Sequence, residues 1–151
     1  MSTKLRVLYM EDNADSREMV TYLMKNSDID IATVNTVEEA EQLALSADFD
    51  VFLLDGIIPF KNSLALCRRL RAYAPDTPIL FYSAFAGTND IAQGLEAGAD
   101  EYLIKPYSGD LTQILWKAAS KSTVTTRQRS ITASQSASNH SNESSPQSAA
   151  A

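Results

Sequence analysis

The chain has 151 residues, 44% of them hydrophobic and 21% charged, with a net charge of −6, which gives room for one domain of ordinary size and little else. An acidic body lacks the basic groups that neutralise phosphates and so argues against direct nucleic-acid binding. The single cysteine, Cys67, excludes an internal disulfide and a multi-cysteine metal site and fits a reducing cytosol. No apolar stretch approaches the roughly 18 residues of a membrane span, and the N-terminal MSTKLRVLYMEDN turns acidic after a short apolar run, unlike a signal peptide; the chain reads as soluble and cytoplasmic.

Five short apolar runs recur along the sequence, at residues 5–10, 29–34, 51–54, 79–82 and 102–104. Helical spacing fills the intervals. Residues 15–25 set Met19, Val20, Leu23 and Met24 on one face, and residues 36–47 open with the capping-box pattern Thr36-Val37-Glu38-Glu39 and then bury Ala40, Leu43 and Ala44. Residues 63–73 offer Leu64, Leu66, Cys67 and Leu70 and stop before Pro75. Residues 88–97 form a weaker helix because Gly94 lies inside it, with Gly98 as a natural stop. Ser108 caps a last helix whose stripe is Leu111, Ile114, Leu115 and Ala118, with Trp116 turned off it toward solvent. Beyond residue 121 the composition shifts to Ser, Thr, Ala, Asn and Gln, with no aromatic and only Val124 and Ile131 as large aliphatics. Such a tail cannot bury enough apolar surface to offset its ordering entropy, so residues 122–151 read as disordered. Because the tail holds Arg127 and Arg129 against Glu143, the folded part, residues 1–121, carries about −7.

Strand–helix alternation repeated five times predicts an α/β domain, a doubly wound parallel sheet with helices on both faces. Val51-Phe52-Leu53-Leu54 is apolar at consecutive positions, as for a strand covered on both sides. Functional residues in such folds follow the carboxyl ends of the strands, which gathers Glu11, Asp12, Asp55, Ser83 and Lys105 at one rim. Three carboxylates converging there repel one another unless a cation sits among them, and hard oxygen donors without His or Cys favour Mg²⁺. Lys105 supplies a point charge and Ser83 a hydroxyl, so that the set suits phosphoryl transfer with Asp55 attacking in line. Taken singly, each residue has a plainer reading: Asp12 or Asn13 can cap a helix, Asp55-Gly56 can be a turn, Ser83 is a common residue, and Lys105-Pro106 can be an ordinary loop. The inference comes from the set, in order, at strand ends.

The motifs VLYMEDN, VFLLDGIIP, ILFYSA and EYLIKPY, spaced with 43 residues from Asp12 to Asp55 and 22 from Ser83 to Lys105, resemble the response-regulator receiver domain of two-component systems, from Leu5 to about Lys117. The resemblance implies a five-stranded flavodoxin-like sheet in the order 2-1-3-4-5. It also implies Asp55 as phosphoacceptor, Asp12 as a direct Mg²⁺ ligand, Glu11 acting largely through a bound water, and the Ile57 carbonyl completing the metal shell. Ser83 and Lys105 would bond the phosphoryl oxygens, Lys105-Pro106 would be cis, and Tyr102 would swing inward as Ser83 moves. Glu11 departs from the commoner Asp, and Ile58 stands where Met is usual; neither removes a needed group. Phe85 matches a position that governs how readily water reaches the phosphoryl group, and Ile57 adds apolar bulk on the other side.

A sensor histidine kinase or phosphotransfer protein is the implied donor. With no output domain after Lys121, the implied output is a downstream protein effector or a homodimer, met at a surface of Tyr102, Trp116 and the outer face of residues 88–97. The alternative is a receiver belonging to a longer multidomain regulator or hybrid kinase. Three rivals fit less well. A haloacid-dehalogenase-like phosphatase needs a second Asp two residues after the nucleophile, where this chain has Ile57. A flavodoxin-like cofactor binder needs a phosphate-tolerant first loop, and Glu11-Asp12-Asn13-Ala14-Asp15 is acidic and lacks glycine. A metal-independent pseudo-receiver would have lost Asp55 or the acidic pair.

Overall fold

The computed structural model describes residues 4–57, 59–107 and 109–121. The tail expected over residues 122–151, Ile58 and Ser108 lie outside the described residues. The elements alternate along the chain: β1 (Leu5–Met10), α1 (Ala14–Met24), β2 (Ile29–Val34), α2 (Val37–Ser46), β3 (Val51–Leu54), α3 (Phe60–Tyr73), β4 (Ile79–Ser83), α4 (Thr88–Glu96) and β5 (Glu101–Ile104), followed by α5 over residues 111–121. The strands form one parallel sheet ordered β2-β1-β3-β4-β5. Among the described residues no helix is long and apolar enough to cross a membrane.

Side-chain alternation along the strands splits the core in two. Leu8, Met10, Phe52, Leu54, Ile79 and Phe81 pack with α2 and α3 through Ala40, Ala44, Leu66, Cys67 and Leu70. Val7, Tyr9, Leu53, Leu80 and Leu103 pack with α1 and α5 through Val20, Met24, Leu111, Leu115 and Ala118. Each fully buried aliphatic side chain contributes about 1.5–3 kcal/mol to this packing.

Several helix details differ from the sequence expectation. Met19 and Leu23 are 63% and 53% exposed: at about 100° per residue, Val20 and Met24 alone point at the sheet, and the other two turn to one flank. Leu43 is only half-buried, because Val37 joins Ala40 and Ala44 on the inner face of α2. Thr36 caps that helix, its Oγ1 accepting from Glu39 N at 3.1 Å. Helix α3 starts at Phe60 rather than Ser63, with Pro59 at its N-cap, and the Ser63 hydroxyl is used elsewhere. The start of α5 is capped by Asp110, whose Oδ1 accepts from Thr112 N at 3.0 Å.

The glycine inside α4 has a packing reason. A Cβ on Gly94 would lie 2.9 Å from Tyr102 Cδ2 and 3.2 Å from Phe81 Cδ2. Gly98, at φ +119°, then ends the helix as a left-handed turn, with Gly98 N donating to Leu95 O and Ala99 N to Gly94 O.

Candidate functional site

The sheet ladder extends past the strand ends and fixes the rim. Glu11 N donates to Val34 O at 3.0 Å, Asp55 N to Met10 O at 2.9 Å, and Lys105 N to Ser83 O at 2.9 Å. Asn13 caps α1 by accepting from Ser16 N at 2.8 Å, so the capping alternative falls to Asn13 and not to Asp12. Arg17 of α1 reaches back to the Glu11 carbonyl at 2.7 Å, holding the first loop closed over the sheet.

Glu11, Asp12 and Asp55 each present a carboxylate oxygen within 4.8 Å of the others. Asp12 is exposed, whereas Glu11 and Asp55 are only 1% and 7% exposed. Lys105 Nζ donates to Glu11 Oε2 at 2.8 Å and to Asp55 Oδ1 at 3.2 Å, and it lies 5.3 Å from the Tyr82 ring centroid. One ammonium therefore faces three carboxylates. Burial pushes the Asp55 carboxyl up to about 7, the Glu11 charge pushes the same way, and Lys105 opposes them. Burial would lower the Lys105 pKa, but the bond to Glu11 and the charge of Asp55 outweigh it and hold the ammonium above its ordinary value. Net negative charge and oxygen-only donors fit a hard divalent cation.

The remaining site residues fall around this cluster. Ile57 is half-buried, its N–H donating to Ser63 Oγ at 3.0 Å, while that hydroxyl donates to Asp55 O at 3.0 Å. Ser63 thus staples the turn that carries Asp55. Ser83 is fully buried, and its Oγ accepts from Phe85 N at 3.0 Å. A Cβ on Gly56 would come within 2.6 Å of Ser83 Oγ and 2.8 Å of Phe85 Cδ2, so only glycine beside Asp55 lets those groups close in. Lys105-Pro106 is cis. Tyr102 is not simply a surface residue: its ring stacks on Phe81 at 5.4 Å and its hydroxyl donates to Phe85 O at 2.6 Å. Trp116 lies on α5 with 37% exposure.

Three residues of the site escaped the sequence reading. Tyr9 donates to Glu11 Oε2 at 3.2 Å; its signal was a polar aromatic inside an apolar strand, two residues before Glu11 and so on the same face. Ser63 gave the misleading signal of a helix start. Phe60 packs on Phe85 and Phe81 at 5.2 and 5.8 Å, a contact that no spacing in the sequence announces.

Fold and site together define a doubly wound α/β domain with an acidic, lysine-bridged pocket at the carboxyl ends of its strands. The profile of the response regulator receiver domain matches residues 7–115. The chain belongs to that family, the receiver domains of two-component systems. It is 36% identical to a probable transcriptional regulatory protein of Picosynechococcus sp., over 72% of this chain and 46% of that protein. It is 34% identical to the cell cycle response regulator CtrA of Brucella ovis, over 70% of this chain and 46% of that protein. The chain thus spans about half the length of these curated relatives. The fold is that of a CheY-like receiver domain protein from Methanospirillum hungatei, with a TM-score of 0.73 at 18% identity, covering 79% of this chain and 96% of the other. The signal receiver domain of an HD domain-containing protein from Pseudomonas fluorescens gives a TM-score of 0.76 at 18% identity, covering 84% and 95%.

Proposed function

We propose that this domain is a Mg²⁺-dependent phosphorylation switch whose acceptor is Asp55. The observation that carries the reading is the convergence of Glu11, Asp12 and Asp55 oxygens within 4.8 Å of one another, with Lys105 Nζ bridging Glu11 and Asp55. A sensor histidine kinase or phosphotransfer protein is the donor. An Asp55 carboxylate oxygen attacks the phosphorus of its phosphohistidine, the P–N bond breaks, and the imidazole leaves and takes up a proton. Glu11, Asp12, Asp55 and the Ile57 carbonyl would hold Mg²⁺, which supplies positive charge against the phosphoryl oxygens. Lys105 is placed to exchange its carboxylate partners for a phosphoryl oxygen, and Ser83 to donate a hydroxyl to another. The domain catalyses only its own phosphorylation and dephosphorylation.

The output follows from what Ser83 touches. Its Oγ is bonded to Phe85 N, and Phe85 O accepts from Tyr102, so drawing Ser83 toward phosphorylated Asp55 disturbs the anchor of Tyr102. The switched surface comprises Tyr102, Trp116 and the outer face of α4, and it meets a downstream protein effector or a second copy rather than nucleic acid or membrane, in the cytoplasm. The test is incubation with Mg²⁺ and a small acyl phosphate. Intact mass rises by one phosphoryl group, and Asp55→Asn abolishes the gain. Phosphate on a serine or histidine instead would sink the assignment.

A second reading makes these residues the receiver part of a longer regulator or hybrid kinase, with residues 122–151 as part of a linker. The greater length of the curated relatives favours it, and sequencing the locus to its stop codon decides.

A further inference from the structure

Tyr9 is wholly buried, at 0% exposure, one residue before the carboxyl end of β1 and within the otherwise nonpolar run Val7-Leu8-Tyr9-Met10. A buried phenol hydroxyl is costly unless it is hydrogen-bonded, and this one donates to Glu11 Oε2 at 3.2 Å. The same oxygen takes Lys105 Nζ at 2.8 Å, and Lys105 is shared with Asp55 at 3.2 Å. Glu11 is itself 1% exposed, and a glutamate has one more rotatable bond than an aspartate, so a carboxylate of that length needs more than one tether to keep one place. Lys105 cannot be the permanent tether, because a phosphoryl group arriving at Asp55 competes for its ammonium. The Tyr9 bond is local, joining the end of β1 to a residue two positions on, and its donor is wholly buried, out of reach of an arriving phosphoryl group.

We infer that Tyr9 is a positioning residue whose hydroxyl holds the Glu11 carboxylate at the metal-binding cluster whether or not Lys105 is engaged there. The inference rests on the proposed Mg²⁺-dependent phosphorylation of Asp55 and adds to it a residue outside the cluster. The plainer role for Tyr9 is packing, since its ring lies in the core on the α1 and α5 side of the sheet. Phenylalanine fills the same space without the hydroxyl, which separates the two roles.

The experiment is calorimetric titration of the whole chain with MgCl₂, without any phosphodonor. Loss of an outer partner of a metal ligand typically weakens affinity about 10- to 100-fold, and Tyr9→Phe is expected near the lower end. Phosphorylation by a small acyl phosphate should be slower in this variant at limiting Mg²⁺ and recover at saturating Mg²⁺, a split that lost packing does not produce. Glu11→Asp withdraws the carboxylate from Tyr9 and should cost a similar factor by itself; adding Tyr9→Phe in that background should cost nothing more. Unchanged Mg²⁺ affinity in Tyr9→Phe, or an equal further loss in the Glu11→Asp background, overturns the role assigned to Tyr9. If Tyr9→Phe folds too poorly to titrate, Glu11→Asp decides alone, and Mg²⁺ affinity equal to the parent's overturns the inference. A parent chain that binds no Mg²⁺ and takes no phosphoryl group overturns the underlying function instead.

Discussion

In the metal-free protein, Asp55 is a liability that an isosteric change removes. Burial and the Glu11 charge raise its carboxyl from the ordinary 3.8 to about 7, against the opposing pull of Lys105. Between those values the unfolded chain binds fewer protons at this site than the folded one, so wild-type stability falls as pH rises from about 4 to about 7. The full effect corresponds to about 4 kcal/mol at neutral pH. The pull of Lys105 is already included in that figure, so Asp55→Asn, which stays neutral at every pH, gains about 4 kcal/mol there. For a domain of this size that is a rise in Tm on the order of 10 °C. The assay is urea or thermal unfolding in EDTA from pH 4 to 8. Asp55→Asn should exceed the parent at pH 7.5, and the two should converge near pH 4. Saturating Mg²⁺ should narrow the gap at pH 7.5 by stabilising the parent through binding. A parent whose stability rises between pH 5 and 7 relative to the variant would refute the reasoning.

Phe85→Ala should speed loss of the phosphoryl group measured by phosphate release, because Phe85 packs on Phe60 at 5.2 Å beside the Asp55 turn; an unchanged rate counts against shielding. Gly94→Ala should destabilise by about 1–3 kcal/mol through overpacking and displace Tyr102, read by denaturation and by the Tyr102 ring resonances, since its Cβ meets that ring at 2.9 Å. Trp116→Ala, which alters an exposed position of α5, should weaken phosphorylation-dependent association in sedimentation runs while Asp55 phosphorylation proceeds unaltered.

The alternation of apolar runs and helical spacing made the fold legible because the central strands β1, β3 and β4 are buried on both faces and α1, α2 and α3 each carry a buried stripe. Boundaries failed where a residue's usual preference was outvoted by its neighbours. Ser63 looks like a helix cap, yet its hydroxyl bridges Asp55 O and Ile57 N, and α3 begins at Phe60 instead. Met19 and Leu23 look like core, but two positions one turn apart, Val20 and Met24, suffice to seat α1. The site was legible because its charged groups sit one or two residues past strand ends, where chain order dictates place. Its apolar shell was not, since contacts such as Phe60 on Phe85 join segments 25 residues apart that no periodicity links.

The polar groups behind the rim show how the carboxylate cluster is kept together before any cation or phosphoryl group reaches it. Three carboxylates with one ammonium among them repel, and the chain offsets that repulsion with hydrogen bonds drawn from elements on different sides of the site. Glu11 is held at its carboxylate by Tyr9 and Lys105 and at its carbonyl by Arg17. Asp55 is held at its carboxylate by Lys105 and at its carbonyl by Ser63. Asp12 is the one exposed member, its carboxylate left in contact with water. Under the proposed switch Glu11 would therefore keep Tyr9 while Lys105 changed partner, and the Asp55 side chain, tied to Lys105, would be released toward the phosphoryl group while Ser63 still held its backbone.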